Sequence, residues 1–448
     1  MKLQLTKDSE NIYLFFQKLP PKLRVHPIIP DTKTTELLKQ WLEELTKVHS
    51  HQNSSPKPTL EILTILPQPP STYWNWIPEP IRNGEIPKLR HFMKTIFEIK
   101  HPQLPAQLRP VHLYISSMTP FKNTEFIQRI QIVVQLLTNY APVPCHNSQL
   151  DIFIYLTKAK KTLPLDSKQI IDEIHANTAF TTSCDMTPTK NIKKESKYII
   201  LFREEEVFKV LIHELFHVLG LDFSHDSIAT QKTATFIREH FQINLPEIRL
   251  FETYCETWAT VIHCLIVAFL KHRSYPPDKI IQSFFRIFSY EQNFVLFQCA
   301  KILHYHQLSY HHFSQTKKGG TRKKREGKKG KNSKTRNRIY SLETYRENTQ
   351  VFCYYILKSA VFQNIPIFLQ QFPPPFSIEE SQQFAKFVQK CFLDSNFEKK
   401  LHFYTALFTP LHKTKTEISI QPLCIHPQPL DEKICETMRQ TATEISLL

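Results

Sequence analysis

The chain has 448 residues, 41% of them hydrophobic and 12% aromatic, enough apolar side chain to bury a sizeable core in two or three packed units. Its formal net charge of +16 is very uneven: Lys317 to Arg338 holds twelve Lys/Arg against one Glu and so supplies eleven of those charges, which excludes a strongly cationic folded remainder. Nine scattered cysteines without CxxC spacing argue against a disulfide framework and a thiolate zinc ribbon, and for a reducing compartment.

The start, MKLQLTKDSENIYLFF, has no long apolar core before a small-residue cleavage site. The longest apolar stretch, TVIHCLIVAFL, is too short to cross a bilayer. Neither a secretory signal nor a membrane span is expected. Residues 1–110 mix short helical patterns such as TTELLKQWLEELTKV with Pro-rich joints such as PQPPSTYWNWIPEPIRNGEIP, and read as an irregular N-terminal unit. VHLYISS reads as a strand, TEFIQRIQIVVQLLTNYA as an amphipathic helix and LDIFIYLT as a second strand. NTAFTTSC (Asn177 to Cys184) and YIILFR (Tyr198 to Arg203) are two further strand candidates.

EEEVFKVLIHELFHVLG follows as a helix, with Glu204, Glu205 and Glu206 expected in its first turn, where negative charge complements the helix dipole. Four of the six glycines lie in the basic segment; Gly220 falls at this helix end, where a left-handed cap residue is needed. Beyond it the patterns are helical: LFETYCETWATVIHCLIVAFLKH, PDKIIQSFFRIFSYEQNFVLFQCAKIL, TYRENTQVFCYYILKSAVF and SIEESQQFAKFVQKCFL. The expected fold class is α+β, a small mixed sheet with an active-site helix followed by a mainly helical C-terminal half. The expected units are residues 1–110, a catalytic domain over 111–315, a disordered basic loop over 316–339, and a helical unit over 340–448.

VLIHELFHVLG places three ionisable groups inside an apolar helix, where each needs a partner. Residues four apart share a helix face, so His213 and His217 can offer two imidazole nitrogens to one point, with Glu214 beside them. HExxH in this setting suits Zn²⁺: two neutral His ligands, and a glutamate that takes a proton from a water whose pKa the ion lowers to roughly 7. A third protein ligand is required, and Asp222 and His225 are the candidates directly after the helix.

HELFHVLG resembles the opening of the metzincin pattern HExxHxxGxxH, but Phe223 stands where that family has its third histidine. LFETYCETWATVIHC resembles the second helix of gluzincin zinc peptidases, read as glutamate, small residue, acid, aromatic and alanine at Glu252, Cys255, Glu256, Trp258 and Ala259. The resemblance implies a zincin-like fold with Glu252 as third ligand and Glu256 bracing a ligand histidine; the other register makes Glu256 the ligand. It also implies that NTAFTTSC is an edge strand holding extended substrate, with Tyr254, His263, Tyr345 and Arg346 as candidates for oxyanion stabilisation. The chain is also similar, in its abundant Lys, Ile and His, scarce Gly and KKGGTRKKR run, to metallopeptidases of large nucleocytoplasmic DNA viruses. The expected function is a zinc metalloendopeptidase acting on an intracellular protein, in the cytoplasm or nucleus of a host cell or in a virion. The alternative is a nucleic-acid- or polyanion-associated protein acting through Lys317–Arg338, its zinc site structural or inactive.

Overall fold

The computed structural model describes residues 4–20, 23, 28, 30–54, 59–146, 148–184, 186, 196–314, 345–408 and 432–446. The basic segment Lys317–Arg338, expected to be a disordered loop, lies outside the described residues. The fold is mixed α+β, with six strands in the order β1-β2-β3-β4-β6-β5. These are β1 (Glu61–Leu63), β2 (His91–His101), β3 (Leu104–Ser117), β4 (Leu150–Tyr155), β5 (Ala179–Thr181) and β6 (Lys197–Leu201). β3, β4 and β6 run parallel; β2 joins β3 and β5 joins β6 antiparallel. β4 is buried at every position, as a central strand covered on both faces must be. The expected strand Val111–Ser117 is the second half of β3, so the boundary expected near 110 falls inside a strand.

The longer helices are α1 (Lys7–Lys18), α2 (Thr32–Ser54), α3 (Thr124–Thr138), α4 (Val207–Val218), α5 (Ser227–Phe241), α6 (Leu250–His272), α7 (Pro277–Tyr305), α8 (Ser381–Phe392) and α9 (Ser395–Ala406). One hydrophobic cluster includes residues from Ile12 on α1 to Ile445 near the C-terminus. A smaller cluster on the opposite sheet face packs Ile77, Ile81 and Leu89 against Phe153, Ile200 and Phe202. α6 is apolar all round because it is buried all round. By length and composition it is the one described helix that could cross a membrane, yet 94% of that window is buried within the protein.

Two local expectations are corrected. Glu204–Glu206 do not form the first turn of α4, which starts at Val207. Lysines of the preceding loop draw the three carboxylates away: Lys158 pairs with Glu204, Lys160 with Glu205 and Lys161 with Glu206. Glu206 becomes the N-cap, with a left-handed φ of 60°. The cysteines do contain a disulfide, Cys145–Cys184, with 39 residues of separation. It was invisible as a spacing because the fold, not the local chain, brings its ends together.

Candidate metal centre

α4 ends in a Schellman turn: Leu221 N–H donates to Phe216 O (2.9 Å) and Gly220 N–H to His217 O (3.1 Å), with Gly220 at φ +64°. The reversal carries Asp222 back beneath the helix, where it accepts a hydrogen bond from His217 Nδ1 at 2.5 Å. α6 lies across α4 and brings Glu252 and Glu256 to the other imidazole. Glu256 Oε1 sits 3.0 Å from His213 Nδ1, somewhat off the N–H direction.

With each Nδ1 turned to a carboxylate, both Nε2 atoms are left as lone pairs, and they face each other at 3.1 Å. Glu252 Oε2 completes the triangle, 3.1 Å from His213 Nε2 and 3.6 Å from His217 Nε2, and makes no hydrogen bond of its own. Three buried acceptors aimed at one another need positive charge between them, supplied either by protons on the imidazoles or by a metal ion that displaces those protons. Ligands about 2.0–2.1 Å from a tetrahedral ion stand roughly 3.3 Å apart, which is the spacing found. These residues can therefore hold a metal ion. A neighbouring group, His217 Nδ1 with Asp222 and Cys255, is a poorer candidate, because 2.5 Å between nitrogen and oxygen is a hydrogen bond rather than a ligand–ligand edge. There Cys255 donates its S–H to Asp222 Oδ2 at 3.1 Å.

Protonation follows the same field. Burial disfavours an imidazolium at His213, but the carboxylates of Glu252 and Glu256 beside the ring outweigh it and lift the pKa to about 9. Burial opposes charge at His217 too, yet neighbouring Cys255, Asp222 and Glu252 raise it well above the usual histidine value. Burial would raise Glu252, but the two imidazoles hold it far below the ordinary carboxylate range. Glu214 is different: burial dominates and its carboxyl is raised.

The triad opens into a cleft of about 1160 Å³ lined by Glu214, Phe180, Thr181, Trp76, Arg249 and Tyr354 among others. β5, at the sheet edge, forms one wall. Half-exposed Trp76, from the N-terminal segment, stands over Phe180 with ring centroids 5.3 Å apart.

The structure thus brings His213, Glu214, His217 and Glu252 together and sets Glu256 behind His213. Asp222, a ligand candidate from its position, is instead the brace of His217, and His225 does not line the cleft. None of the four oxyanion candidates lines it either. Tyr254 is buried among Phe216, Phe368, Phe376 and Phe384. His263 lies against Phe208, where burial lowers its pKa to about 3. Tyr345 donates to Glu347, and Arg346 to Tyr345 O. The tyrosine that does face the site is Tyr354, its ring 6.2 Å from that of His213. It lies on a π-helix, Phe352–Leu357, whose wider turn shifts the helical phase, so an α-helical reading of TYRENTQVFCYY does not find it. Burial, with Glu252, Glu256 and Glu214 nearby, raises the Tyr354 phenol well above its usual value, so it keeps its proton. Comparison of the chain with protein-family models, with curated proteins and with solved structures found no match.

Proposed function

We propose that the chain is a zinc-dependent endopeptidase of zincin-like, gluzincin-type architecture, acting on an intracellular protein. One observation carries this: the ring nitrogens of an HExxH pair and a glutamate oxygen from a second helix converge as acceptors on one point, with Glu214 beside them at the head of a cleft. A zinc ion held there would polarise a substrate carbonyl and make water acidic enough to act as a nucleophile near neutral pH. The chain's own residues supply the rest. Asp222 accepts from His217 Nδ1, and the Glu256 carboxylate 3.0 Å from His213 Nδ1 favours a proton on that nitrogen, so that both tautomers leave Nε2 free. Glu214, raised by burial, takes a proton from the attacking water on a carboxylate oxygen and passes it to the leaving amine. Tyr354 donates its O–H to the carbonyl oxygen as charge develops there. The edge of β5 offers backbone hydrogen bonds to an extended chain, and Trp76 with Phe180 offers an apolar wall to alternate side chains.

The test is metal analysis of purified protein together with cleavage of a proteome-derived peptide library. Glu214→Gln is expected to keep zinc near the wild-type amount and to lose cleavage; His217→Ala is expected to lose the zinc. Undiminished cleavage by Glu214→Gln would overturn the mechanism.

A further inference from the structure

Glu256 is held by groups that the chain places far apart. Lys209, one turn before His213 on α4, puts its Nζ 2.6 Å from both carboxylate oxygens. Lys358, directly after the π-helix, puts its Nζ 2.9 Å from Oε2. Both ammonium groups complete their bonding on neutral atoms of Gln440, in a C-terminal strap: Oε1 is 3.2 Å from Lys209, and the backbone oxygen is 2.9 Å from Lys358. The side chains of Lys209 and Lys358 are fully buried and that of Glu256 is 2% exposed. Neither lysine has another carboxylate within ion-pair distance among the described residues.

With both lysines in the ammonium form, Glu256, Lys209 and Lys358 together carry one net positive charge, buried, one imidazole ring away from the three converging ligand atoms. Bracing alone does not require this. Asp222 braces His217 with only neutral partners around it, the backbone N–H and hydroxyl of Ser224 and the thiol of Cys255. A fixed positive charge close to a cation site, in a poorly screened interior, weakens the hold on the cation. It also drains electron density from the brace of His213, so that the imidazole donates less to an ion.

We propose that Lys209 and Lys358 are tuning residues of the metal centre: by reversing the charge of Glu256 they lower the affinity for a divalent ion and leave a bound ion more electrophilic. This rests on the metal-centre reading above, and it makes a prediction of unusual sign. A purely structural role predicts that losing a lysine loosens the site, whereas a tuning role predicts that it tightens it.

The experiment measures the zinc dissociation constant, by competition with a chromogenic chelator at fixed pH and ionic strength, for wild type, Lys358→Met, Glu256→Gln and the double variant. The cluster charges are +1, 0, +2 and +1 in that order. Lys358→Met is expected to bind zinc on the order of tenfold more tightly than wild type, and Glu256→Gln about tenfold more weakly. The double variant is expected to return towards wild type. Weaker or unchanged binding by Lys358→Met, or a double variant weaker than Glu256→Gln, would overturn the proposal. Circular dichroism checks the fold, and Lys209→Met, expected to shift in the same direction, replaces Lys358→Met if that protein does not fold. Failure of wild type itself to bind zinc would remove the metal centre and this proposal with it.

Discussion

Gly220→Ala tests whether the end of α4 is as constrained as its geometry indicates. Two separate costs can be read from the structure. The backbone at φ +64° is left-handed, which for a residue with a Cβ costs roughly 1–2 kcal/mol. The added Cβ would also stand 2.5 Å from Cys145 Sγ and 3.3 Å from Cys184 Cβ. That sulfur is bonded to Cys184 and cannot swing aside, so the overlap adds about 1–3 kcal/mol as overpacking. Urea unfolding of the oxidised protein should therefore show a loss of about 2–5 kcal/mol. The two costs separate in a cycle with Cys145→Ala/Cys184→Ala, which removes the sulfur atoms but not the backbone conformation. That pair alone should cost about 4 kcal/mol, from opening a 39-residue separation in the chain-entropy description. In its background Gly220→Ala should lose the 2.5 Å overlap with Cys145 Sγ and keep the left-handed part and the milder 3.3 Å approach to the Cβ at position 184, leaving a coupling of about 1–3 kcal/mol. A coupling under about 0.5 kcal/mol would show that the disulfide does not bear on the glycine.

Asp222→Asn, nearly equal in shape but without charge, should weaken zinc binding about 10–100-fold while the melting curve moves little; equal affinity would show that Asp222 does not act on His217. Glu347 gives a test by pH away from the candidate metal centre. Burial raises its carboxyl to about 8, against hydrogen bonds from Tyr345 and Phe352 that lower it. The folded value lies above the unfolded one, so the fold binds the proton more tightly. Its contribution to stability is complete below about pH 4 and falls as pH rises towards 8, by roughly 1.4 kcal/mol for each pH unit in between. Glu347→Gln cannot ionise, so its melting temperature relative to wild type should climb between pH 5 and pH 8; a constant difference would refute the raised value.

What the sequence disclosed and what it hid divide along the range of the interactions. β4, β6, α3, α4 and α6 carry their periodicity within a few residues, and each was legible. β2 also alternates, through Met93, Thr95, Phe97 and Ile99, but the Pro-rich joints before it outweighed that pattern. α5 was missed because its buried face is built partly from small residues, Ala229, Thr233 and Ala234, which leave little apolar contrast. The C-terminal strap had no pattern to read. Gln440, Thr441, Ala442 and Thr443 are buried through backbone N–H groups donated to Glu206 and Glu291, partners about 150 to 235 positions away.

The candidate metal centre divides in the same way. The helical period puts His213 and His217 on one face, and the same period on α6 puts Glu252 and Glu256 one turn apart. The roles of the braces depend on something else, namely which ring nitrogen each acid can reach. The left-handed turn at Gly220 sends the chain back along α4, so an acid two residues later meets His217 from the Nδ1 side and cannot meet the Nε2 that faces α6. An insertion of one residue between Gly220 and Asp222 would keep HExxH and both glutamates yet remove that carboxylate from Nδ1. It should weaken zinc binding as much as Asp222→Asn does, about 10–100-fold, and chelator competition on the two proteins would show it. Wild-type affinity in the insertion variant would mean that the tautomer of His217 is fixed by something other than the turn.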